Sequence, residues 1–273
     1  MPELPEVETV RRGLEPLITG ATIEKLILRR KDLRVPFTPD FAKRVQGATI
    51  SAIKRRAKYL LFELSHGEVI LSHLGMSGRF VVWPDRLPQA AKHDHVIMHF
   101  TDGRALVYHD PRRFGLMVLR REDELAHEPL LASLGPEPLE PGFTAAVLKA
   151  SLGKKSAPIK QVLMDPQVVV GVGNIYASEA LFLSAIHPQR TASSAAKHSE
   201  SLVRSIRQVL TDAIASGGSS LRDFLQVSGE GGYFQHAFKV YGRAGKACVR
   251  CPGTIETVRL AGRSSFYCPK CQK

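Results

Sequence analysis

The sequence predicts an α+β chain of several domains: an antiparallel β-sandwich or barrel with flanking helices over residues 1–132, a helical domain over 133–232, and a zinc-held β-hairpin over 237–273. Three observations carry this. Eight short runs of strand-forming residues follow one another with close turns. A proline-rich stretch, Leu134-Gly-Pro-Glu-Pro-Leu-Glu-Pro-Gly142, then breaks the pattern, and helical periodicity follows it. All four cysteines fall in the last 26 of 273 residues, which is long enough for two domains and a small appended module.

The first element is a helix. In Met1-Pro2-Glu3-Leu4-Pro5-Glu6, Pro5 occupies a tolerated first-turn position, and Glu6 and Glu8 favour the positive end of the dipole. Val7, Val10, Leu14 and Leu17 then continue one apolar face. A residue as small as Pro2 at position two predicts removal of Met1, leaving a secondary amine with a pKa of roughly 8 against about 10.4 for lysine. Its neutral form near neutrality is thus more abundant by roughly a hundredfold, which suits attack on carbon. A frayed terminus without a role is the alternative at this point.

The strand runs are 22–29, 48–54, 59–64, 69–74, 79–83, 95–100, 105–108 and 116–119, with turns at His66-Gly67 and the hairpin dipeptide Asp102-Gly103. Helical spacing covers 143–152, 157–165, 174–185, 195–215 and 221–226. Ser228-Gly-Glu-Gly-Gly232 reads as a mobile loop.

The formal charge of +12 and pI near 9.7 point to a polyanionic partner, nucleic acid before an anionic membrane. No run of about 18 apolar residues exists, and the acidic start is unlike a signal peptide, so a soluble cytoplasmic protein is expected. Cys248-x-x-Cys251 and Cys268-x-x-Cys271, 16 residues apart, have the spacing of a four-thiolate zinc site. A disulfide pair is the rival, which a reducing cytosol disfavours. So short a segment lacks a core of its own, and the metal is then structural.

Several loops could carry chemistry. Val168-Val-Val-Gly-Val-Gly-Asn174 before a helix invites a dinucleotide reading, but the third glycine and the later acid are missing; free N–H groups ahead of Asn174 still suit a DNA phosphate. Alternation puts His93, His95 and His99 on one strand face, where a phosphate contact from His93 is favoured over a metal. Asp110-Pro-Arg-Arg-Phe-Gly115 displays Arg112 and Phe114 on a rigid loop suited to insertion into a duplex, unless Phe114 folds back into the core. His73-Leu-Gly-Met-Ser-Gly78 offers Met76 as a flexible apolar plug. Lys54-Arg-Arg-Ala-Lys58 is a solvated edge from which Lys58 could turn inward. Residues 237–273 hold eight Lys or Arg against Glu256, and their hairpin presents Arg263 near its tip, either to a groove or to solvent.

Together these stretches resemble the formamidopyrimidine-DNA glycosylase family, bifunctional base-excision enzymes for oxidised purines. The resemblance spans nearly the whole chain: PELPEVETVRRGLEP, RRAKYLLFEL, HLGMSGRF, KHDHV, DPRRFG, LGPEPL, GVGNIYASE, the cysteine pairs and FYCPKCQK. The endonuclease VIII family is less similar at GMSG and DPRRFG. The resemblance implies that Pro2 attacks C1′ and forms a Schiff base, that Glu3 is acid and base near O4′, that Lys58 assists β-elimination, and that Arg263 serves δ-elimination or holds its phosphate. It implies that Met76, Arg112 and Phe114 fill the gap left by the flipped base, with Arg112 facing the orphaned cytosine. Asn174, Lys160 and His93 would bind phosphates, Asn174 from a helix-two-turns-helix motif, and residues 221–232 would cover the extruded base. Ser156 departs from the basic run of relatives, leaving Lys155 as the substitute contact. One structural Zn²⁺ on Cys248, Cys251, Cys268 and Cys271, no redox cofactor, a monomer, and damaged double-stranded DNA in a bacterial nucleoid complete the expectation. The competing class is a non-catalytic zinc-containing DNA-binding protein, which needs no free Pro2.

Overall fold

The computed structural model describes residues 1–86, 89–219 and 231–273. They form two compact units, one of residues 1–132 with 217–232, the other of 133–216 with 233–273. Residues 217–219 and 231–232, read from sequence as part of the end of the helical domain, thus group with the first unit.

In the first unit, α1 (Leu4–Ile18) buries Leu4, Val7, Val10, Leu14 and Ile18. Two four-stranded antiparallel sheets follow, built from β1 (Ile23–Leu28), β2 (Ile50–Arg56), β3 (Tyr59–Leu64), β4 (Glu68–His73), β5 (Arg79–Trp83), β6 (Asp94–Phe100), β7 (Ala105–His109) and β8 (Leu116–Arg121). One sheet has the order β1-β6-β7-β5 and the other β2-β3-β4-β8. Ile23, Leu26, Phe80, Val96, Met98 and Tyr108 of the first sheet and Ile53, Leu60, Phe62, Ile70 and Met117 of the second belong to one core with α1. This is the sandwich that the strand spacing predicts.

Strands β3, β4 and β8 read as nearly continuous apolar runs because both faces of their sheet are covered. On the outer face Leu61, Val69, Leu71, Leu116 and Val118 form a second cluster under Val35, Leu125, Leu130 and Leu131. Two short helices, α2 (Phe41–Val45), whose Phe41 and Val45 join the main core, and α3 (Pro129–Ala132), are absent from the sequence reading. Each is little more than one turn, too short to show a 3.6-residue period.

The second unit holds α4 (Ala145–Leu152), capped by Thr144 Oγ1 accepting the Val147 N–H at 3.2 Å, then α5 (Ile159–Leu163) and α6 (Asn174–Leu183). Residues 168–173 form no strand but a buried turn, with Val168, Val169, Val170 and Val172 in the core, which removes the β-element that a dinucleotide fold requires. The helix expected over 195–215 is broken into α7 (Ala192–Ala195), a 3-10 turn (Ala196–His198) and α8 (Ser199–Ala215). The break sits where His198 leaves helical geometry and the Ser199 hydroxyl donates to the Ala196 carbonyl at 2.7 Å. Residues 221–226 and most of the loop to 232 lie outside the described residues. Finally β9 (Glu256–Leu260) and β10 (Arg263–Tyr267) pair around the two-residue turn Ala261-Gly262, both at positive φ.

Candidate active site and nucleic-acid interface

The chain begins with an ordered element. Pro2 and Glu3 are buried, and Glu3 is the N-cap of α1. The Glu3 N–H donates to Glu6 Oε2 at 2.8 Å, a capping box built with a carboxylate. The other oxygen of the same buried Glu6 accepts the N–H of Ser219 at 2.9 Å and its hydroxyl at 3.0 Å. One carboxylate therefore fixes the amino terminus against the segment that leads into residues 220–230. Nothing in the sequence marks Glu6 for this second role, because Ser219 is 213 residues away.

Lys58 sits in the β2–β3 turn, half-buried, after Ala57 at φ 54°. Arg55 braces that turn. Its Nη1 donates to the Ala57 carbonyl at 2.9 Å while its Nε reaches Glu8 Oε2 of α1 at 3.1 Å. Glu8 also binds Arg11 and Arg12, and these cations outweigh its burial and hold its carboxyl below the usual range.

Met76, half-buried, and Arg112 and Phe114, exposed, stand on two loops that the fold brings together. The Arg112 guanidinium carbon lies 4.8 Å from the Phe114 ring centroid, and Phe114 is 46 % exposed rather than folded into the core. His93 is half-buried beside the rings of His95 and His109, at 6.2 and 5.9 Å between centroids. His109 pairs with Asp94 at 2.7 Å and His95 Nε2 meets the Asp110 carbonyl at 2.9 Å. Among the described residues these histidines do not form a group of three or more metal-ligating side chains, and His99 takes no part in the ring cluster.

His73 ends β4 with its Nδ1 accepting the Gly75 N–H at 2.9 Å, which requires the neutral ring. Burial pushes this imidazole down to about 4, with Lys58 and Arg34 adding to it. The unfolded chain therefore takes up a proton near pH 6.5 that the folded chain refuses until about pH 4. Stability is full above the unfolded value and is lost as pH falls through that window, by about 2 kcal/mol at pH 5. In His73→Asn, which keeps an acceptor near Nδ1, the drop in urea midpoint from pH 7 to pH 5 is expected to shrink. Equal drops in the two proteins would show that His73 is not the group responsible.

In the second unit Lys160, buried, donates from Nζ to Asn174 Oδ1 at 2.7 Å, Ser265 Oγ at 2.8 Å and the Ser264 carbonyl at 3.1 Å. Asn174, the first residue of α6, is half-exposed, and its Nδ2 meets the Tyr241 hydroxyl at 3.3 Å. Arg263 shares with Lys160, Asn174, Met164 and Leu260 a cavity of about 200 Å³. An amide side chain and a guanidinium converge there beside the Lys160 ammonium, as an anion requires. Lys155 instead lies 3.7 Å from Asp165. Tyr241 escapes a reading by motif, and the motif GVGNIYASE that ends in Glu179 does not disclose what that carboxylate binds. Glu179, buried on α6, accepts the N–H groups of Lys239, Val240 and Tyr241 at 2.9, 3.0 and 2.8 Å, and burial still raises its pKa.

The four cysteine Sγ atoms lie within 4.8 Å of one another, none in a disulfide. Cys248 and Cys271 are 3.8 Å apart and Cys251 and Cys268 3.5 Å, close to the roughly 3.8 Å edge of a tetrahedron of sulfurs about 2.3 Å from zinc. Burial and the neighbouring thiols push Cys271 up to about 12, so four thiolates at this spacing call for a cation. The site fits one structural Zn²⁺. Cys248, Cys268, Ile255 and Val240 pack on Phe182 of α6, so the module shares the core of its unit.

Comparison with known proteins agrees with this geometry. Residues 1–117 match the formamidopyrimidine-DNA glycosylase N-terminal domain, 134–225 the formamidopyrimidine-DNA glycosylase H2TH domain, and 245–273 the zinc finger found in FPG and IleRS. The chain is 50 % identical over 293 residues to a formamidopyrimidine-DNA glycosylase of Bradyrhizobium diazoefficiens and 48 % identical over 291 residues to one of Rhodopseudomonas palustris, with all of each chain covered. Among solved structures, Lactococcus lactis Fpg in complex with abasic-site DNA has a TM-score of 0.90 at 36 % identity over 99 % of both chains. The MutM (Fpg) protein of Thermus thermophilus has a TM-score of 0.88 at 38 % identity, over 99 % of this chain and 98 % of that one.

Proposed function

The chain belongs to the formamidopyrimidine-DNA glycosylase family, and from that premise we propose that it excises oxidised purines, 8-oxoguanine and formamidopyrimidines, from duplex DNA through Pro2 and then cleaves the abasic strand by successive eliminations. It is a bifunctional DNA glycosylase and abasic-site lyase with one structural zinc on Cys248, Cys251, Cys268 and Cys271.

Once Met1 is removed, the Pro2 nitrogen carries a lone pair at the start of a helix whose cap is fixed by Glu6. That fixed terminus is the observation that carries the reading. Attack on C1′ forms the N–C bond as the glycosidic bond breaks, and the base leaves with its electron pair and takes up a proton. Glu3, adjoining the nucleophile, moves protons at the sugar ring oxygen as the ring opens to the iminium. The iminium acidifies C2′–H. Lys58, held in its braced turn, assists departure of the 3′ phosphate, and Arg263 assists or holds the 5′ phosphate in the second elimination. Asn174, oriented by Lys160, takes a backbone phosphate, and His93, Lys155 and the +12 net charge add to the hold on DNA. No described helix is long and apolar enough to cross a membrane. We place the enzyme as a monomer acting on chromosomal DNA in the bacterial cytoplasm.

The test is a duplex with one 8-oxoguanine opposite cytosine. Cleavage leaving phosphate at both ends of the gap is expected. A duplex bound but left whole would instead identify a DNA-binding protein without catalysis.

A further inference from the structure

The two loops that carry Met76, Arg112 and Phe114 are joined by a buried polar relay. The Asp110 carboxylate is fully buried, and its Oδ1 accepts the Ser77 hydroxyl proton at 2.6 Å. The Ser77 oxygen in turn accepts the backbone N–H of Arg112 at 3.1 Å. Asp110 Oδ2 takes the Gly115 N–H at 2.9 Å and the Tyr108 hydroxyl at 3.4 Å. Both ends of the 110–115 loop are thereby tied to one carboxylate, and its middle to the other loop through one hydroxyl.

The loops also touch without room to slide. Gly75 is at φ 64°, and a Cβ there would stand 2.3 Å from the Phe114 carbonyl carbon. A Cβ on Gly115 would stand 1.8 Å from the Tyr108 hydroxyl. Within the tied loop, Arg113 takes the left-handed conformation at φ 57°, and the Arg112 guanidinium lies over the exposed Phe114 ring. The position of the Arg112 backbone thus rests on Ser77, and Ser77 is oriented by Asp110.

A guanidinium has five donors and no acceptor. Opposite a lesion it can pair with the two adjacent acceptors on the exposed edge of cytosine, whereas the same edge of adenine offers one acceptor beside an amino donor. Such a contact discriminates only if the guanidinium is held to within a few tenths of an ångström, because hydrogen bonds weaken steeply with distance and angle.

We infer that Ser77 and Asp110 form the positioning pair that sets the preference of this enzyme for the base opposite the lesion, by fixing the Arg112 backbone against the Met76 loop. The inference rests on the reading in which Arg112 faces the orphaned base. Ser77 touches no reacting atom, so its effect is on selectivity more than on bond breaking.

The experiment compares kcat/KM on duplexes with 8-oxoguanine opposite cytosine and opposite adenine, in wild type, Ser77→Ala, Ser77→Thr and Arg112→Ala. In Ser77→Ala the cytosine-to-adenine ratio is expected to fall roughly tenfold, the order of effect of losing a part-buried hydrogen bond. Ser77→Thr, which keeps the hydroxyl, restores the ratio. Asp110→Asn provides a second reading should Ser77→Ala melt far below wild type. A merely structural role would lower both rates together and leave the ratio in place, and that result overturns the inference. If Arg112→Ala also leaves the ratio unchanged, the assignment of Arg112 to the orphaned base falls as well. If Arg112→Ala collapses the ratio and neither relay variant does, only the relay is refuted.

Discussion

A form of the chain carrying one extra residue ahead of Pro2 is expected to bind lesion-containing duplex and leave it intact. The Pro2 nitrogen is then part of a tertiary amide whose lone pair is delocalised, so it cannot attack C1′. Loss of an enzyme's nucleophile lowers kcat on the order of 10⁴-fold or more, and nothing in the described site offers a second amine on the α1 cap. Borohydride gives the direct readout. Reduction during turnover of an 8-oxoguanine duplex by wild type should trap a covalent complex through the Pro2 nitrogen, and the extended form should trap none. Pro2→Gly, which presents a primary amine from a more mobile backbone, should trap more weakly than wild type. Equal trapping by wild type and the extended form would move the nucleophile to a side chain, with Lys58 first in line.

Stripping the zinc is expected to have the next largest effect, this time on DNA affinity. The module contributes four thiols, few apolar side chains and a hairpin of five-residue strands, and metal-site formation supplies on the order of 10 kcal/mol in such modules. Without it the β9–β10 hairpin loses its anchor, and with it go Arg263 and the Ser264 and Ser265 acceptors that hold Lys160. Affinity for a lesion duplex should fall on the order of a hundredfold, since several phosphate contacts disappear together. The checks are one equivalent of released zinc per chain and a binding isotherm before and after chelation. Unchanged affinity after stoichiometric release would mean that the fold of the hairpin does not depend on the metal.

Much of this molecule is legible in its sequence, for identifiable reasons. The strands of the sandwich announce themselves by short β-branched runs between turn residues, and the metal site by two Cys-x-x-Cys pairs, because both depend on local spacing. The residues that organise the loops are not local in this sense. Glu6 bonds to Ser219, Asp110 to Ser77, and Glu179 to amides 60 residues further on, and a buried carboxylate gives no hint of its partner from its neighbours in sequence. Lys160 is a related case. The resemblance implies a direct phosphate contact, while in the fold its ammonium donates to three protein acceptors, one of them Asn174 Oδ1. The break before α8 was hidden because residues 195–215 keep an apolar period through a turn that changes direction.

The clasp that Glu179 makes on residues 239–241 bears on how such an enzyme searches a genome. With Tyr241 and the hairpin already fixed to α6 before any DNA arrives, this half of the molecule need not fold anew at each encounter. A rare damaged base must be found among a vast excess of intact pairs, and a scanner that reorganised at every stop would spend its time on ordering itself. A rigid, cationic reading surface can instead slide and hop on the phosphate chain, leaving the slow rearrangements for the one site where a base comes out.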